Sequence, residues 1–151
     1  MERRRLLLPL VVAAAVFVAA GGYIHLVEWL DVYRDVPSAV PGSEVVTIGF
    51  PVNVAISVLA VLGLAVATWK RPTLLWIVVI GTLVFQAGSL ATLILSRTGS
   101  VLGWSEPTWN DAANQTRAVE IGAILCLVAL GGILAMGRAS WENAAPTGDE
   151  A

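Results

Sequence analysis

Carboxylate side chains follow the only histidine of the chain at helical spacing. Glu28, Asp31 and Asp35 come three, six and ten residues after His25. On a continuing helix these acids lie within roughly 120° of the imidazole, on one side. An imidazole beside carboxylates can hold a cation, bind a ligand by hydrogen bonds or pass protons. The stretch 23–35 is therefore predicted to concentrate the chemistry of the chain.

The depth of His25 argues against a proton relay at the centre of a bilayer. The 19 steps from Leu6 to His25 give about 28 Å of helix, close to the ~30 Å thickness of the hydrocarbon core. His25 is therefore predicted at the far boundary of the bilayer, and Glu28 at or just beyond it. A charge there is much less costly than one at the bilayer centre.

Four further polar side chains fall in the outer halves of later apolar runs, with Gln86 deeper than the other three. If the helices close as an up-and-down bundle, one outward-facing pocket could bind a ligand through His25, Glu28, Asn53, Gln86, Arg117 and Glu120. Each residue also has a structural interpretation. His25 and Glu28 could be solvated at a helix end, and Arg117 and Glu120 could form an ion pair three residues apart. The side-chain amides of Asn53 and Gln86 could cap a helix or hydrogen-bond between helices.

The elements that would position these residues are membrane-spanning helices. The chain is 57% hydrophobic and 13% charged, which is typical of an integral membrane protein. Four apolar runs are long enough to cross a bilayer, at about residues 6–30, 50–69, 73–95 and 115–137. The predicted class is all-α, with an up-down bundle of four transmembrane helices over residues 1–137 and a polar cytoplasmic tail over 138–151.

Two local features accompany these spans. Pro9 is expected in the first turn of the first helix, where its missing N–H costs little. A short interfacial helix is expected to begin near Ser105.

A secretory signal peptide is an alternative for the first span, because Val18-Ala19-Ala20 before Gly21 resembles a cleavage site. Against it, the apolar run continues well past Gly22.

Basic residues predict the orientation of the spans. Six lie on the side of the N-terminus and three on the other side: Arg3, Arg4, Arg5, Lys70, Arg71 and Arg138 against Arg34, Arg97 and Arg117. Both termini are therefore expected in the cytoplasm. The tryptophans agree, because they fall near the predicted interfaces and none needs to lie at the bilayer centre. Arginine far outnumbers lysine, and Ala, Val and Gly are abundant, which is typical of GC-rich bacterial coding, so the membrane is expected to be the bacterial inner membrane.

Several functional classes find little support in the sequence. The net charge of −2 argues against a nucleic-acid partner. A lone histidine and a lone cysteine, Cys126, argue against a zinc or bis-histidine haem site. A metal site that combines His25 with Glu28, Asp31 or Glu120 stays open as a minor alternative. No phosphate-binding loop or hydrolase motif occurs, so no catalytic residue, metal or cofactor is predicted.

Part of the chain resembles a known group of membrane proteins. His25-Leu26-x-x-Trp29, Tyr33-Arg34-Asp35-Val36-Pro37 and Thr47-Ile48-Gly49 are similar to segments of small four-helix integral membrane proteins of actinobacteria, whose function is not assigned. The resemblance covers the first helix to the start of the second and implies a four-span fold without an activity. Small multidrug exporters also have four spans, but their glutamate lies in mid-helix, whereas Glu28 lies at a helix end.

Three functions remain as expectations. The first is a non-enzymatic accessory or scaffold protein, whose small-residue faces around Gly81, Gly88, Gly122 and Gly131 allow close packing against partner membrane proteins or a second copy. The second is a unit that binds or transports a small solute or cation through the outer polar cluster. The third is a membrane enzyme or redox subunit that uses His25. Besides the lipid bilayer, the sequence names no partner.

Overall fold

The regular structure of the chain is helical wherever it can be described. A computed structural model describes the backbone of residues 2–70 and 72–142 and the side chains of residues 7–69 and 73–136. Its elements are α1 (Glu2–Glu28), a π-helical turn (Trp29–Tyr33), α2 (Glu44–Thr47), α3 (Gly49–Lys70), α4 (Pro72–Thr98) and α5 (Asp111–Glu142). Four helices are long and apolar enough to cross a membrane. The prediction of an all-helical chain with four such helices is confirmed.

The helices extend beyond the predicted spans at several ends. The first continues through the π-helical turn to Tyr33, and α5 runs through Arg138 to Glu142, because helical hydrogen bonds persist beyond the apolar run. Residues 143–151 of the predicted tail lie outside the described part. The first-turn position predicted for Pro9 is wrong: α1 begins at Glu2, so Pro9 lies inside the helix and removes one hydrogen bond there.

The predicted helix near Ser105 is also wrong. Residues 105–110 are not helical. The amide of Glu106 donates instead to the carbonyl of Ser96 (2.9 Å), which ties this segment to the end of α4. Asn110 then caps the next helix, because its Oδ1 accepts a hydrogen bond from the amide of Ala113 at 2.8 Å.

The four long helices form a closed ring in which sequence neighbours are antiparallel. α1 packs against α3 and α5, and α4 packs against the same two helices. One apolar core joins Leu7 at the start of α1 to Ala67 near the end of α3, Leu75 at the start of α4 and Leu134 late in α5. The starts of two helices therefore meet the ends of the other two. At this end of the bundle the interior is filled by packed apolar side chains.

Glycines allow two of the helix contacts to be close. A Cβ atom added to Gly122 on α5 would lie 2.7 Å from the ring of Phe17 on α1, and one at Gly22 would lie 2.8 Å from the Cβ of Ser57 on α3. By contrast, a Cβ at Gly81 or Gly88 on α4 would meet no atom within 4 Å. Gly81 and Gly88 of α4 therefore make no close contact with another helix within the described bundle.

The two longer connections meet at the end of the bundle opposite the apolar core. Val101 and Trp104 exchange backbone hydrogen bonds of 2.8 Å, and Leu102 and Gly103 between them have positive φ angles of 51° and 94°. Gly42, with φ of 72°, lies so close to this turn that a Cβ would collide with the backbone nitrogen of Trp104. The connections thus form one cap over this end of the helices.

Candidate functional site

A chain of polar side chains joins all four long helices below this cap. Glu120 on α5 accepts a hydrogen bond from the Ser89 hydroxyl of α4 at its Oε1 (2.5 Å), and the Nε2 of His25 on α1 lies 3.4 Å from the same oxygen. Asn53 on α3 donates from Nδ2 to the Ser89 oxygen at 2.9 Å. The hydroxyl of Ser57 donates to the Oδ1 of Asn53 at 3.3 Å. We call these five residues the polar chain.

Helical periodicity explains why the polar chain lies inside the bundle. Glu120 precedes the fully buried Ala123 and Leu127 by three and seven residues, so its side chain lies on the core face of α5. Ser57 precedes the buried Ala60 and Leu64 by the same spacings on α3. The polar residues thus continue the apolar stripes of their helices toward the capped end.

The carboxylate of Glu120 is only partly satisfied. The residue is 1% exposed, and its Oε2 is a buried atom without a hydrogen-bond partner among the described residues. Leaving a buried acceptor unpaired costs about 1–3 kcal/mol. Unpaired buried acceptors are rare in folded proteins, and they occur at catalytic sites and beside bound ions or water. The free oxygen therefore marks this part of the bundle as a candidate binding region.

A second polar cluster lies between the end of α4 and the cap. Arg97 pairs with the carboxylate of Glu106 (Nη1 to Oε2, 3.1 Å) and donates to its backbone carbonyl at 2.7 Å. The hydroxyl of Tyr33 donates to the same carboxylate at 2.7 Å. The Arg97 side chain is 6% exposed, and its buried Nε has no hydrogen-bond partner in the described part of the chain.

Aromatic contacts fix the histidine and the tyrosine. Phe50, in the first turn of α3, meets the ring of His25 edge to face at a centroid distance of 4.8 Å and the ring of Tyr33 at 4.9 Å. The indole of Trp29 donates to the carbonyl of Thr47 at 3.0 Å, which ties the π-helical turn to α2. The polar groups are therefore held in place by the packing of their neighbours.

A cavity of about 400 Å³ lies between the two clusters. Its volume is in the range of small-molecule sites, which are mostly apolar with a few placed polar groups. His25, Asn53 and Ser89 reach it from the polar chain, and Tyr33, Arg97 and Glu106 reach it from the second cluster. Apolar lining comes from Val45, Val46, Phe50, Val52, Val84, Phe85, Leu93, Trp104, Ala112 and Ala113.

The structure places the six sequence-predicted residues in three different surroundings. His25, Asn53 and Glu120 meet in the polar chain, and Glu28 lines the cavity beside His25. Gln86 is buried on α4, one turn before Ser89, but is not among the residues that line the cavity. Whether any of the six binds a ligand stays a prediction.

Arg117 lies apart from the other predicted residues. It is exposed, donates to the Oδ1 of Asn114 at 3.2 Å, and lies 4.8 Å from the centre of the Trp109 ring. The ion pair considered between Arg117 and Glu120 does not form, because one side chain points to the surface of α5 and the other into the bundle. Asn53 bonds across to a neighbouring helix rather than capping its own.

Sequence reasoning missed several members of the site. Ser57 could have been found, because it falls at a core position on the apolar stripe of its helix. Ser89 lies one turn after the buried Gln86 and is itself half-buried. Glu106 could not, because it lies in an irregular connection whose path depends on the fold. The sequence marks Arg97 only as a basic residue near the membrane boundary.

These features define the class of the protein: an all-helical chain with four helices long and apolar enough to cross a membrane, and a polar-edged cavity at one end. Comparison of the chain with protein-family models, with curated proteins and with solved structures finds no match in any of the three. Within the described residues, no three His, Cys, Asp or Glu side chains are grouped so that they could hold a metal ion.

Proposed function

We propose that the chain is a multi-pass protein of the bacterial inner membrane with both termini in the cytoplasm. Large apolar side chains cover the outside of the bundle, among them Val16, Leu59 and Leu125 at 61%, 67% and 65% exposure. Exposure of this kind suits contact with lipid tails and would be unfavourable in water. The excess of basic residues on the side of the spans where both termini lie supports the orientation.

We further propose that the protein binds a small cationic or hydrogen-bonding solute in the cavity at the capped, periplasmic end. The observation that carries this proposal is the cavity itself, edged by the polar chain and by Glu28. Glu28 is partly buried, and among the described residues no hydrogen-bond donor reaches its carboxylate. A cation beside it would meet a carboxylate that has no hydrogen-bonded partner of its own.

Ligand-dependent stability tests this proposal. The purified protein in lipid nanodiscs would be heated with tetramethylammonium, guanidinium or tetraphenylphosphonium, and the unfolding midpoint followed. A bound solute at 100 times its Kd stabilises the folded state by about 2.7 kcal/mol. We expect at least one cation to raise the midpoint, and Glu28→Gln to reduce the rise.

Asp31→Asn is the matched control, because Asp31 is an exposed acid on the adjacent turn that does not line the cavity. It is expected to keep the full ligand effect. No rise with any of the three cations, or an equal loss in both variants, contradicts binding in the cavity.

A scaffold role is the second candidate, and the open faces of Gly81 and Gly132 favour it. Neither glycine has an atom within 4 Å of an added Cβ, so another helix could pack closely there. If this role holds, Gly132→Leu leaves the unfolding midpoint unchanged but removes a co-purifying membrane protein. An unchanged set of co-purifying proteins argues against it.

A further inference from the structure

We infer that the ligand of the cavity is a lipid-soluble organic cation that reaches it sideways from the bilayer, between α3 and α4. This inference rests on the proposed binding function and specifies the route and the chemistry of the ligand. Four observations carry it: an open wall, the depth of that wall, a roof on the water side, and the charge of the lining.

The open wall lies where cavity-lining residues are also on the outer surface of the bundle. Val52 on α3 and Val84 on α4 both line the cavity, although they are 48% and 67% exposed. Gly88 and Thr92 on α4 line it too and are also exposed. Because Gly88 lacks a side chain and has open space around it, the wall is thinnest there. We call the gap bounded by these four residues the portal.

The portal lies at the level of lipid tails. Gly88 is ten residues from Thr98, the last residue of α4, which corresponds to about 15 Å along the helix. A helix of 27 residues is about 40 Å long, and the hydrocarbon core is about 30 Å thick, so the core begins about 5 Å from each helix end. Gly88 is therefore roughly 10 Å inside the hydrocarbon. A molecule that passes the portal comes from the lipid phase.

The water-facing side of the cavity is roofed. Tyr33 and Val46, both of which line the cavity, are 4% and 2% exposed, and the ion pair between Arg97 and Glu106 holds the second connection against α4. Trp104 from the same connection meets the Tyr33 ring at a centroid distance of 6.0 Å. Buried residues therefore cover the cavity on this side, whereas the residues of the portal are exposed.

The lining favours a positive charge on an apolar body. Of the two carboxylates that line the cavity, Glu106 is paired with Arg97, whereas Glu28 has no paired cation among the described residues. Phe50 and Phe85 offer aromatic rings, which attract organic cations as well as apolar groups. A hydrophilic cation could use the acids but not the rest of the lining.

Equilibrium binding of radiolabelled tetraphenylphosphonium to the protein in nanodiscs tests the inference, with empty nanodiscs as the blank. Two competitors test the charge and the apolar body of the ligand separately. Tetraphenylborate has the same shape and the opposite charge, and tetramethylammonium has the same charge without the apolar body. We expect saturable binding of tetraphenylphosphonium, and at least about tenfold weaker competition by each of the other two, which corresponds to about 1.4 kcal/mol.

Two matched pairs of variants locate the route and the charge. Gly88→Leu narrows the portal and is expected to slow association of tetraphenylphosphonium at least about tenfold, whereas Gly81→Leu, on the same helix and equally open but outside the cavity lining, leaves it unchanged. Glu28→Gln is expected to weaken binding about tenfold, and Asp31→Asn is not.

The outcomes distinguish this inference from the function on which it rests. If tetramethylammonium binds as tightly and Gly88→Leu has no effect, the cavity binds solutes but lateral access is wrong. If tetraphenylborate competes as well as the cation, the charge preference is wrong. If no probe binds saturably, both the inference and the binding function are wrong.

Discussion

Glu120 is the residue with the most unusual surroundings in the bundle. One of its carboxylate oxygens lies within hydrogen-bond distance of both Ser89 and His25, and the other has no partner in the described structure. Buried polar groups that depend on each other rigidify a core when they are satisfied and weaken it when one member is removed. The polar chain should therefore respond strongly to truncation at Glu120.

We predict that Glu120→Ala lowers the free energy of unfolding by about 1–3 kcal/mol, because the cavity that it leaves and the lost acceptor of the Ser89 hydroxyl outweigh the removal of the unpaired Oε2. Unfolding by denaturant in detergent micelles, followed by tryptophan fluorescence, measures the change. Asn114→Ala, on the exposed side of the same helix, should cost much less. Equal effects of the two substitutions would show that the polar chain adds no stability.

Arg97 permits a similar comparison at a buried ion pair. Its side chain is 6% exposed, whereas Arg34, paired with Asp35 at 3.2 Å, is 52% exposed. We predict that Arg97→Ala costs about 1–3 kcal/mol through lost hydrogen bonds to a charged group, and that Arg34→Ala costs about 0–1 kcal/mol. The same unfolding assay applies, and a larger effect at Arg34 contradicts the assignment of Arg97 as the link between α4 and the cap.

At the scale of elements, close helix contacts and one irregular turn shape the site. The amide of Arg34 donates to the carbonyl of Trp29 at 2.9 Å, five residues back, so the end of the first span widens into a π-helical turn. Such turns often occur at functional sites. Here the turn is followed by the connection to α2, and its last residue, Tyr33, is buried against Phe50.

The contact between α1 and α5 yields a prediction at this scale. Gly122→Leu should destabilise the bundle by about 1–3 kcal/mol through overpacking, because even a Cβ there would lie 2.7 Å from the Phe17 ring. Gly132→Leu on the same helix has open space and should change stability little. Thermal unfolding of both variants in the same detergent micelles measures the two changes in stability. Equal destabilisation would mean that the two helices do not approach closely at Gly122.

At the scale of the whole molecule, hydropathy predicted more than any other signal. Apolar runs of spanning length predicted the four long helices, because a helix satisfies the backbone hydrogen bonds of an apolar segment within that segment. The depth of His25 along its helix placed it near the cap. The partners of Arg117 and Glu120 were not predictable, because they depend on how each helix is rotated about its axis, and the path of Glu106 depends on a connection without periodicity.

Orientation in the membrane is a prediction for the whole molecule. With Cys126→Ser as background, Ser38→Cys and Thr108→Cys place single thiols on the two exposed connections, and Thr73→Cys places one at the exposed start of α4. We expect an impermeant maleimide to label the first two in intact spheroplasts and the third only after permeabilisation. Labelling in the reverse order would place the capped end in the cytoplasm.

Fluorescence of Trp104 tests the binding claim most directly, because this side chain lines the cavity. Titration of the protein in nanodiscs with tetraphenylphosphonium should change the tryptophan emission and saturate at about one cation per chain, as expected for a single small-molecule site. Trp104→Phe should remove most of the change, and Trp109→Phe, on an exposed residue outside the cavity, should not. An unsaturable change, or one that persists fully in Trp104→Phe, would contradict ligand binding in this cavity.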